Sequence, residues 1–97
     1  MKCYIAGRIS GLQEAEYKQR FYEAKKEVEN LGFEAINPIE LPHNHGHTWE
    51  EYMRECLIAM LECQTVYALN NWRYSVGATI EVNLAVSLGI NVVFQKS

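Results

Sequence analysis

The chain has 97 residues and a mass of 11.2 kDa, a length that accommodates one hydrophobic core and excludes a linked two-domain enzyme. Its composition, with 48% hydrophobic and 22% charged residues, is typical of a folded globular protein rather than a disordered chain. Nine basic and twelve acidic residues give a net charge of −3 with histidine neutral, so no general attraction to duplex nucleic acid or to an anionic membrane is expected.

The first residues lead directly into a strand-like run without the apolar region of a secretory signal, which favours a cytoplasmic protein. The least polar stretch, residues 82–94, is shorter than the roughly 20 residues that a membrane-spanning helix needs, and polar residues interrupt it. The cysteines Cys3, Cys56 and Cys63 lack CxxC spacing. Reduced thiols are therefore expected, without a disulfide framework or a zinc site.

The first part of the chain predicts two strands separated by a helix. Residues 2–6 form a short apolar run before Gly7, which indicates a strand and a glycine-containing loop. Apolar residues then recur at helical spacing: Tyr17, Phe21, Ala24, Val28 and Leu31. Gly32 is a typical helix stop, and residues 33–36 predict a second strand that ends at the Asn37-Pro38 pair.

The middle of the chain predicts a loop, a capped helix and a third strand. Residues 39–47 form the loop, and Thr48 and Glu51 fit the T-x-x-E pattern that opens a helix. One face of this helix, which is expected to end near Cys63, carries Tyr52, Cys56, Ala59, Met60 and Cys63. Residues 65–69 are β-branched and aromatic, which predicts a strand.

The last part predicts a polar loop over residues 70–75, a helix over 76–88 that stops at Gly89, and a strand over 90–94. This last strand is apolar on both faces and is expected in the middle of a parallel sheet. The alternation predicts an α/β fold in which three helices flank an open sheet of four parallel strands. Ligands are then expected at the carboxyl ends of the strands.

The loop after the first strand, residues 6–11, is a candidate anion site. Gly7 and Gly11 allow backbone N–H groups to approach an anion near a helix N-terminus, and Arg8 and Ser10 would add donors. Strand-to-helix turns also use glycine for their geometry alone. The pattern is therefore compatible with phosphate binding and with a purely structural turn.

Glu81 lies on the apolar stripe of the predicted last helix, together with Leu84, Ala85 and Leu88. An unpaired buried carboxylate is costly, so this placement indicates a partner or a functional use. The alternative is a glutamate near a helix N-terminus that the helix dipole favours and that binds a loop amide. The spacing does not decide between them.

Three motifs resemble one protein family. They are Tyr4-Ile5-Ala6-Gly7-x-Ile9-Ser10-Gly11 near the start, Asn37-Pro38 after the second strand, and Trp72-x-x-Ser75-x-Gly77-Ala78-x-x-Glu81 near the end. Together they are similar to small phage and bacterial proteins of the DUF4406 type, within the nucleoside 2-deoxyribosyltransferase-like superfamily, which also includes the 2′-deoxynucleoside 5′-phosphate N-hydrolases. The resemblance covers essentially the whole chain and implies a single flavodoxin-like domain over residues 1–97.

The resemblance implies that Glu81 attacks the anomeric carbon of a deoxyribosyl group and that Tyr4 holds its carboxylate. It also implies contacts to the sugar 5′ end or its phosphate from Gly7, Arg8, Ile9, Ser10, Gly11, Ser75 and Gly77. A carboxylate suits this chemistry because N-glycosidic cleavage passes through an oxocarbenium-like state. Water as the acceptor gives hydrolysis, and a second base gives transfer.

The sequence departs from the family pattern at two positions. Active relatives carry an aspartate that protonates the leaving base where this chain has Cys56, and a thiol with an ordinary pKa of about 8.5 is a weaker proton donor. Glu55 is an alternative acid if the helix register allows it. Arg8 replaces a proline at the loop tip, where it either sharpens phosphate recognition or is solvated.

Two other groups of residues have alternative explanations. Three histidines alternate along the middle loop, at His43, His45 and His47. Because no cysteine or aspartate cluster joins them, a polar active-site lid or surface loop is favoured and no metal site is predicted. Three aromatic residues either stack a nucleobase or pack in the core or at its rim: Trp49, Trp72 and Tyr74.

The favoured function is an N-glycosidase or deoxyribosyltransferase that acts on a (deoxy)nucleoside 5′-monophosphate without a metal or redox cofactor. The alternatives are a catalytically silent module that sequesters or senses a nucleotide, for example in phage–host conflict, and an interaction protein with a vestigial crevice. The expected partner is a small-molecule nucleoside or nucleotide, and neither duplex nucleic acid nor a membrane. Because a 97-residue chain forms only a shallow crevice, a homodimer or larger homo-oligomer is expected.

Overall fold

The structure is a computed structural model that describes residues 1–43 and 48–96. Its strands are β1 (Lys2–Ala6), β2 (Glu34–Ile36), β3 (Thr65–Ala68) and β4 (Asn91–Phe94), and its α-helices are α1 (Glu14–Asn30), α2 (Trp49–Leu61) and α3 (Val76–Ser87). Short 3-10 turns cover Pro38–Glu40 and Trp72–Tyr74. The predicted α/β fold is confirmed, while His45 and His47 lie outside the described residues.

All strand pairs are parallel, and the sheet order is β2-β1-β3-β4. The central strands β1 and β3 are almost entirely buried. The chain leaves β1 toward one side of the sheet and β3 toward the other, so a crevice opens between the carboxyl ends of these two strands. The topology therefore places the candidate site at the carboxyl end of β1, where Gly7 lies.

The structure corrects the predicted position of the last strand. β4 forms an edge of the sheet, and its terminal residues Asn91 and Phe94 are exposed. Val92 packs on the face that α2 and α3 cover, whereas Val93 packs on the face that α1 covers. The strand is apolar on both sides because both faces of the sheet are covered at this edge.

The core consists of two layers that share the sheet. On one face, Phe21, Ala24 and Val28 of α1 pack against Cys3, Ile5, Tyr67 and Leu69. On the other face, Cys56 and Met60 of α2 and Val82 and Ala85 of α3 pack against Tyr4, Ala6, Val66 and Ala68. Because side chains alternate along a strand, Tyr4 points to the side of α2 and α3.

Side-chain caps begin two of the helices. Thr48 Oγ1 accepts a hydrogen bond from the Glu51 N–H at 3.2 Å, and Ser75 Oγ accepts one from the Ala78 N–H at 3.1 Å. The predicted threonine cap is thus confirmed. Since a crossover helix follows the carboxyl end of the preceding strand, both caps border the crevice, where their residues line the cavity described below.

Glycines follow the last turns of α1 and α3, as predicted. Gly32 and Gly89 have φ values of +93° and +74°, a left-handed conformation that costs glycine little because it has no Cβ. None of the helices in residues 1–43 and 48–96 is long and apolar enough to cross a membrane.

Candidate active site

A cavity of about 880 Å³ lies at the carboxyl edge of the sheet, between the loop after β1, the first turns of α2 and the start of α3. The first part of the chain contributes Tyr4, Gly7, Ile9, Ser10, Pro38 and His43 to its wall. The helix α2 and its cap contribute Thr48, Trp49, Tyr52, Met53 and Cys56. The third wall is Tyr74, Ser75, Val76, Gly77, Ala78 and Glu81. The cavity is large enough for a drug-sized or nucleotide-sized ligand.

Glu81 forms the predicted contact with Tyr4. The Tyr4 hydroxyl donates to Glu81 Oε2 at 2.5 Å, and the carboxylate is only 5% exposed. Burial raises the pKa of Glu81 from 4.5 to about 7, although the hydrogen bond from Tyr4 opposes the increase. Tyr4 thus holds one carboxylate oxygen of Glu81, a residue that also lines the cavity.

Tyr4 is a donor suited to this partner. It is fully buried in the centre of β1. Burial, followed by the nearby charge of Glu81, raises the pKa of Tyr4 well above its ordinary value. The phenol therefore keeps its proton and donates it to the carboxylate. This pairing accounts for a carboxylate in the core, and it replaces the alternative in which Glu81 binds a loop amide.

The buried stripe of α3 differs from the predicted one. Its buried residues are Ala78, Glu81, Val82 and Ala85. Leu84 is only partly buried, and Leu88 is 56% exposed because the helix ends at Ser87. The other buried residues of α3 are thus two alanines and a valine.

Cys56 lies on the cavity wall and is 1% exposed. Burial raises the pKa of Cys56 to about 11, so the thiol is protonated at neutral pH and releases its proton with difficulty. The hydroxyls of Tyr4 and Tyr52 favour its thiolate form and so lower the pKa of Cys56, but this effect is smaller than that of burial. The neighbouring Glu55 does not line the cavity, because its carboxylate pairs with His43.

The loop after β1 contributes only part of the predicted phosphate site. Gly7, Ile9 and Ser10 line the cavity, whereas Arg8 and Gly11 do not. The Arg8 N–H donates to Asn71 Oδ1 at 3.1 Å, and its Nε donates to the Ser10 carbonyl at 3.1 Å. The guanidinium is therefore folded onto its own loop instead of lying on the cavity wall.

Gly7 is required by packing. A Cβ at this position would lie 2.5 Å from a methyl carbon of Leu69 and 3.0 Å from its Cβ. Leu69 follows β3 and is 1% exposed, so it has little room to move. The absence of a side chain at Gly7 lets the loop pack directly against the end of β3, beside the cavity.

Trp72 does not join the site. Its ring packs against Phe94 with centroids 5.8 Å apart, and the Arg73 guanidinium lies 5.4 Å from its centroid. Trp72 thus covers the β4 edge, outside the cavity lining. Of the three aromatic candidates, Trp49 and Tyr74 line the cavity and remain accessible to a planar ligand, with 45% and 77% exposure.

Sequence reasoning missed the full contribution of α2 and the loop before it. Thr48, Trp49, Tyr52, Met53 and Cys56 lie along one side of α2, at spacings that bring them to the same face. The capping pattern and this spacing together could have shown it. His43, expected in a lid or surface loop, lies in the cavity wall with its ring centroid 4.4 Å from that of Tyr52.

Comparison with known proteins identifies the family. The family model described as a domain of unknown function, DUF4406, matches residues 1–94. The chain belongs to the DUF4406 family. A search of curated proteins returned no match. The DUF4406 match includes every strand and helix that forms the cavity.

The site of this DUF4406 protein brings together a carboxylate, a phenol, a thiol and an imidazole. Glu81 has a pKa of about 7, so a substantial fraction carries a negative charge at neutral pH. Such a group can attack an electrophilic carbon or stabilise a cation next to it. Within the described residues, no group of three or more His, Cys, Asp or Glu side chains could hold a metal ion.

Proposed function

We propose that this protein is an N-glycosidase or deoxyribosyltransferase-like enzyme of the nucleoside 2-deoxyribosyltransferase-like superfamily. Its substrate is a (deoxy)nucleoside 5′-monophosphate. The observation that carries this proposal is Glu81, a buried carboxylate that Tyr4 binds through one oxygen beside a cavity with aromatic walls. A nucleobase between Trp49 and Tyr74 would bring its sugar toward Glu81.

The reaction begins when Glu81 Oε1 attacks the anomeric carbon of the sugar. The C1′–N bond breaks, its electron pair goes to the base nitrogen, and the base takes up a proton. Attack of water on the resulting glycosyl ester frees Glu81 and completes hydrolysis, whereas attack by the nitrogen of a second base completes transfer. Tyr4 holds Oε2 and keeps the carboxylate oriented throughout. We propose no metal or redox cofactor.

The 5′-phosphate is proposed to lie between the loop after β1 and the start of α3. Ser10, Ser75 and Gly77 line this end of the cavity. The first N–H groups of a helix lack partners inside the helix and favour an anion. Arg8 is not part of this proposal, because its guanidinium binds the Ser10 carbonyl. We further propose that the protein acts in the cytoplasm, as a homodimer or larger homo-oligomer.

A second candidate is a catalytically silent nucleotide-binding module, possessed by a phage or a bacterium, that sequesters its ligand. Cys56 favours it, because a thiol with a pKa of about 11 is a poor acid for a leaving base. The two candidates share the ligand and the cavity. They differ in whether the glycosidic bond breaks.

The deciding experiment combines ligand binding with product analysis. Purified protein is incubated with each deoxynucleoside 5′-monophosphate and the matching nucleoside, thermal shift reports binding, and chromatography reports free base. We expect base release from a monophosphate by the wild-type protein and none by Glu81→Gln, which preserves the size of the side chain. The matched control is Glu62→Gln, which changes an exposed glutamate at the end of α2.

Stabilisation by a monophosphate without base release would contradict the enzyme and support the binding module. Equal base release by wild-type protein and Glu81→Gln would exclude Glu81 as the nucleophile. A protein that neither binds nor cleaves any of these compounds would contradict both candidates.

A further inference from the structure

Both ring nitrogens of His43 are engaged at the cavity wall. Nδ1 lies 2.6 Å from Glu55 Oε1, and Nε2 lies 3.1 Å from the carbonyl oxygen of Pro38. The side chain of His43 is 18% exposed and that of Glu55 is 32% exposed. The ring also packs against Tyr52. The imidazole is therefore fixed from three directions while one side of it borders the cavity.

These contacts indicate how many protons the His43–Glu55 pair holds. A carbonyl oxygen can only accept, so Nε2 carries a hydrogen. A neutral imidazole with its hydrogen on Nε2 would turn a bare Nδ1 toward an unprotonated carboxylate, and two acceptors repel at 2.6 Å. Both contacts are satisfied when a second proton lies between Nδ1 and Glu55. In that arrangement the pair holds one proton more than a neutral imidazole beside a carboxylate.

We propose that His43, supported by Glu55, is the general acid that protonates the leaving base. This assignment rests on the proposed glycosidase function. As the C1′–N bond breaks, the Nε2 proton leaves the Pro38 carbonyl and passes to the base nitrogen, which receives the bonding electron pair. The ring becomes neutral and keeps the hydrogen on Nδ1, which donates a hydrogen bond to Glu55. In the second step Nε2 takes a proton from the attacking water or incoming base, which restores the pair.

The other protons of the cavity are less suited to this step. The Tyr4 proton is held by Glu81. Burial raises the pKa of Tyr52 and raises that of Cys56 to about 11, so both groups are weak acids at neutral pH. Histidine is the side chain that most often transfers a proton to or from a reacting group in enzymes. The structure thus offers a proton donor where Cys56 is a poor one.

Two variants separate the proton from the shape of the site. His43→Gln removes the imidazole and keeps a polar side chain. In Glu55→Gln the amide nitrogen can donate to Nδ1, so the ring keeps both hydrogen bonds but no longer stores the second proton. Glu62→Gln is again the matched control, because it removes an exposed carboxylate from the distal end of α2.

The test compares two leaving groups on the same sugar phosphate. One substrate is the deoxynucleoside 5′-monophosphate that the protein cleaves fastest, and the other is the 4-nitrophenyl deoxyriboside 5-phosphate. Nitrophenolate leaves as a stable anion and does not need a proton. We expect base release to fall by about 10²–10⁴-fold in both variants, while nitrophenolate release changes by less than about 3-fold. Retained nitrophenolate release also shows that each variant is folded and keeps Glu81 in position.

Equal losses on both substrates would assign His43 a structural role and overturn the proposal. Unchanged base release in either variant would overturn it as well. In both cases an active wild-type protein leaves the proposed function intact. A wild-type protein that releases neither base nor nitrophenolate would instead contradict the glycosidase function, and the His43 assignment with it.

Discussion

Burial raises the pKa of Glu81 from 4.5 to about 7, so between these values the native protein holds a proton that the unfolded chain releases. The stability associated with this group is complete below about pH 4.5 and is lost as the pH rises through about 7. Relative to wild type, Glu81→Gln should therefore become more stable with rising pH. The two pKa values correspond to a difference of about 3 kcal/mol between pH 4 and pH 8.

Urea denaturation of the two proteins at several pH values measures this difference, and Glu62→Gln is the control. A constant gap between wild type and Glu81→Gln across the range would show that the carboxylate is equally ionised in the native and unfolded states. Because the amide oxygen of the substituted side chain can still accept from Tyr4, the comparison isolates the charge from the hydrogen bond.

The contacts of the site were predictable where the order of the strands alone brings two residues together. Tyr4 and Glu81 are 77 residues apart, yet their strand and helix border the same crevice in any parallel sheet of this order. The contacts of His43 were not predictable, because a loop residue has no periodicity from which its partner can be inferred. Trp72 has a partner on the β4 edge, Phe94, and the loop sequence gives no sign of it.

At the scale of elements, the caps of α2 and α3 support both stability and the cavity wall. Ser75→Ala removes the acceptor for the Ala78 N–H and should lower the free energy of unfolding by about 0.5–2 kcal/mol, whereas Ser75→Asn should retain most of it. Thr48→Ala should have a similar effect, because Thr48 caps the Glu51 N–H. Chemical denaturation checks each variant. Equal values for the wild-type protein and Ser75→Ala would show that this cap contributes nothing.

The strands and helices were largely predictable from residues close together in the sequence. A cap or a glycine stop depends on contacts within about four residues, so Thr48 and Gly32 mark their helix ends directly in the sequence. The position of β4 in the strand order could not be predicted in this way. An apolar pattern reports which faces of a strand are covered, as with Val92 and Val93, but not which strands flank it. The connections between strands decide that, and hydrophobicity does not encode them.

At the scale of the whole molecule, α2 and α3 leave large apolar side chains exposed on one side of the sheet. Val86 of α3 is 61% exposed, and Ile58 of α2 on the same side of the sheet is 63% exposed. Exposed apolar side chains that lie close together often mark a protein–protein contact. We expect a second copy of the chain to pack on this surface.

Sedimentation should then give about twice the mass of 11.2 kDa, and Val86→Lys should reduce it to that of one chain. Leu31→Lys, which changes an exposed leucine beyond the end of α1, should leave the mass unchanged. A monomeric wild-type protein would contradict this expectation.

The parallel sheet also determines how the protein can be attached to a surface. Every strand runs in the same direction. Lys2 at the start of β1 and Phe94 at the end of β4 therefore lie at opposite ends of the strands. Gln95 continues along the cavity edge, where its Oε1 accepts from the Asn70 N–H. A linker placed ahead of β1 would leave the cavity facing the solution on a sensor chip. The same linker after β4 would emerge at the same end of the sheet as the cavity, beside the loop that carries Tyr74.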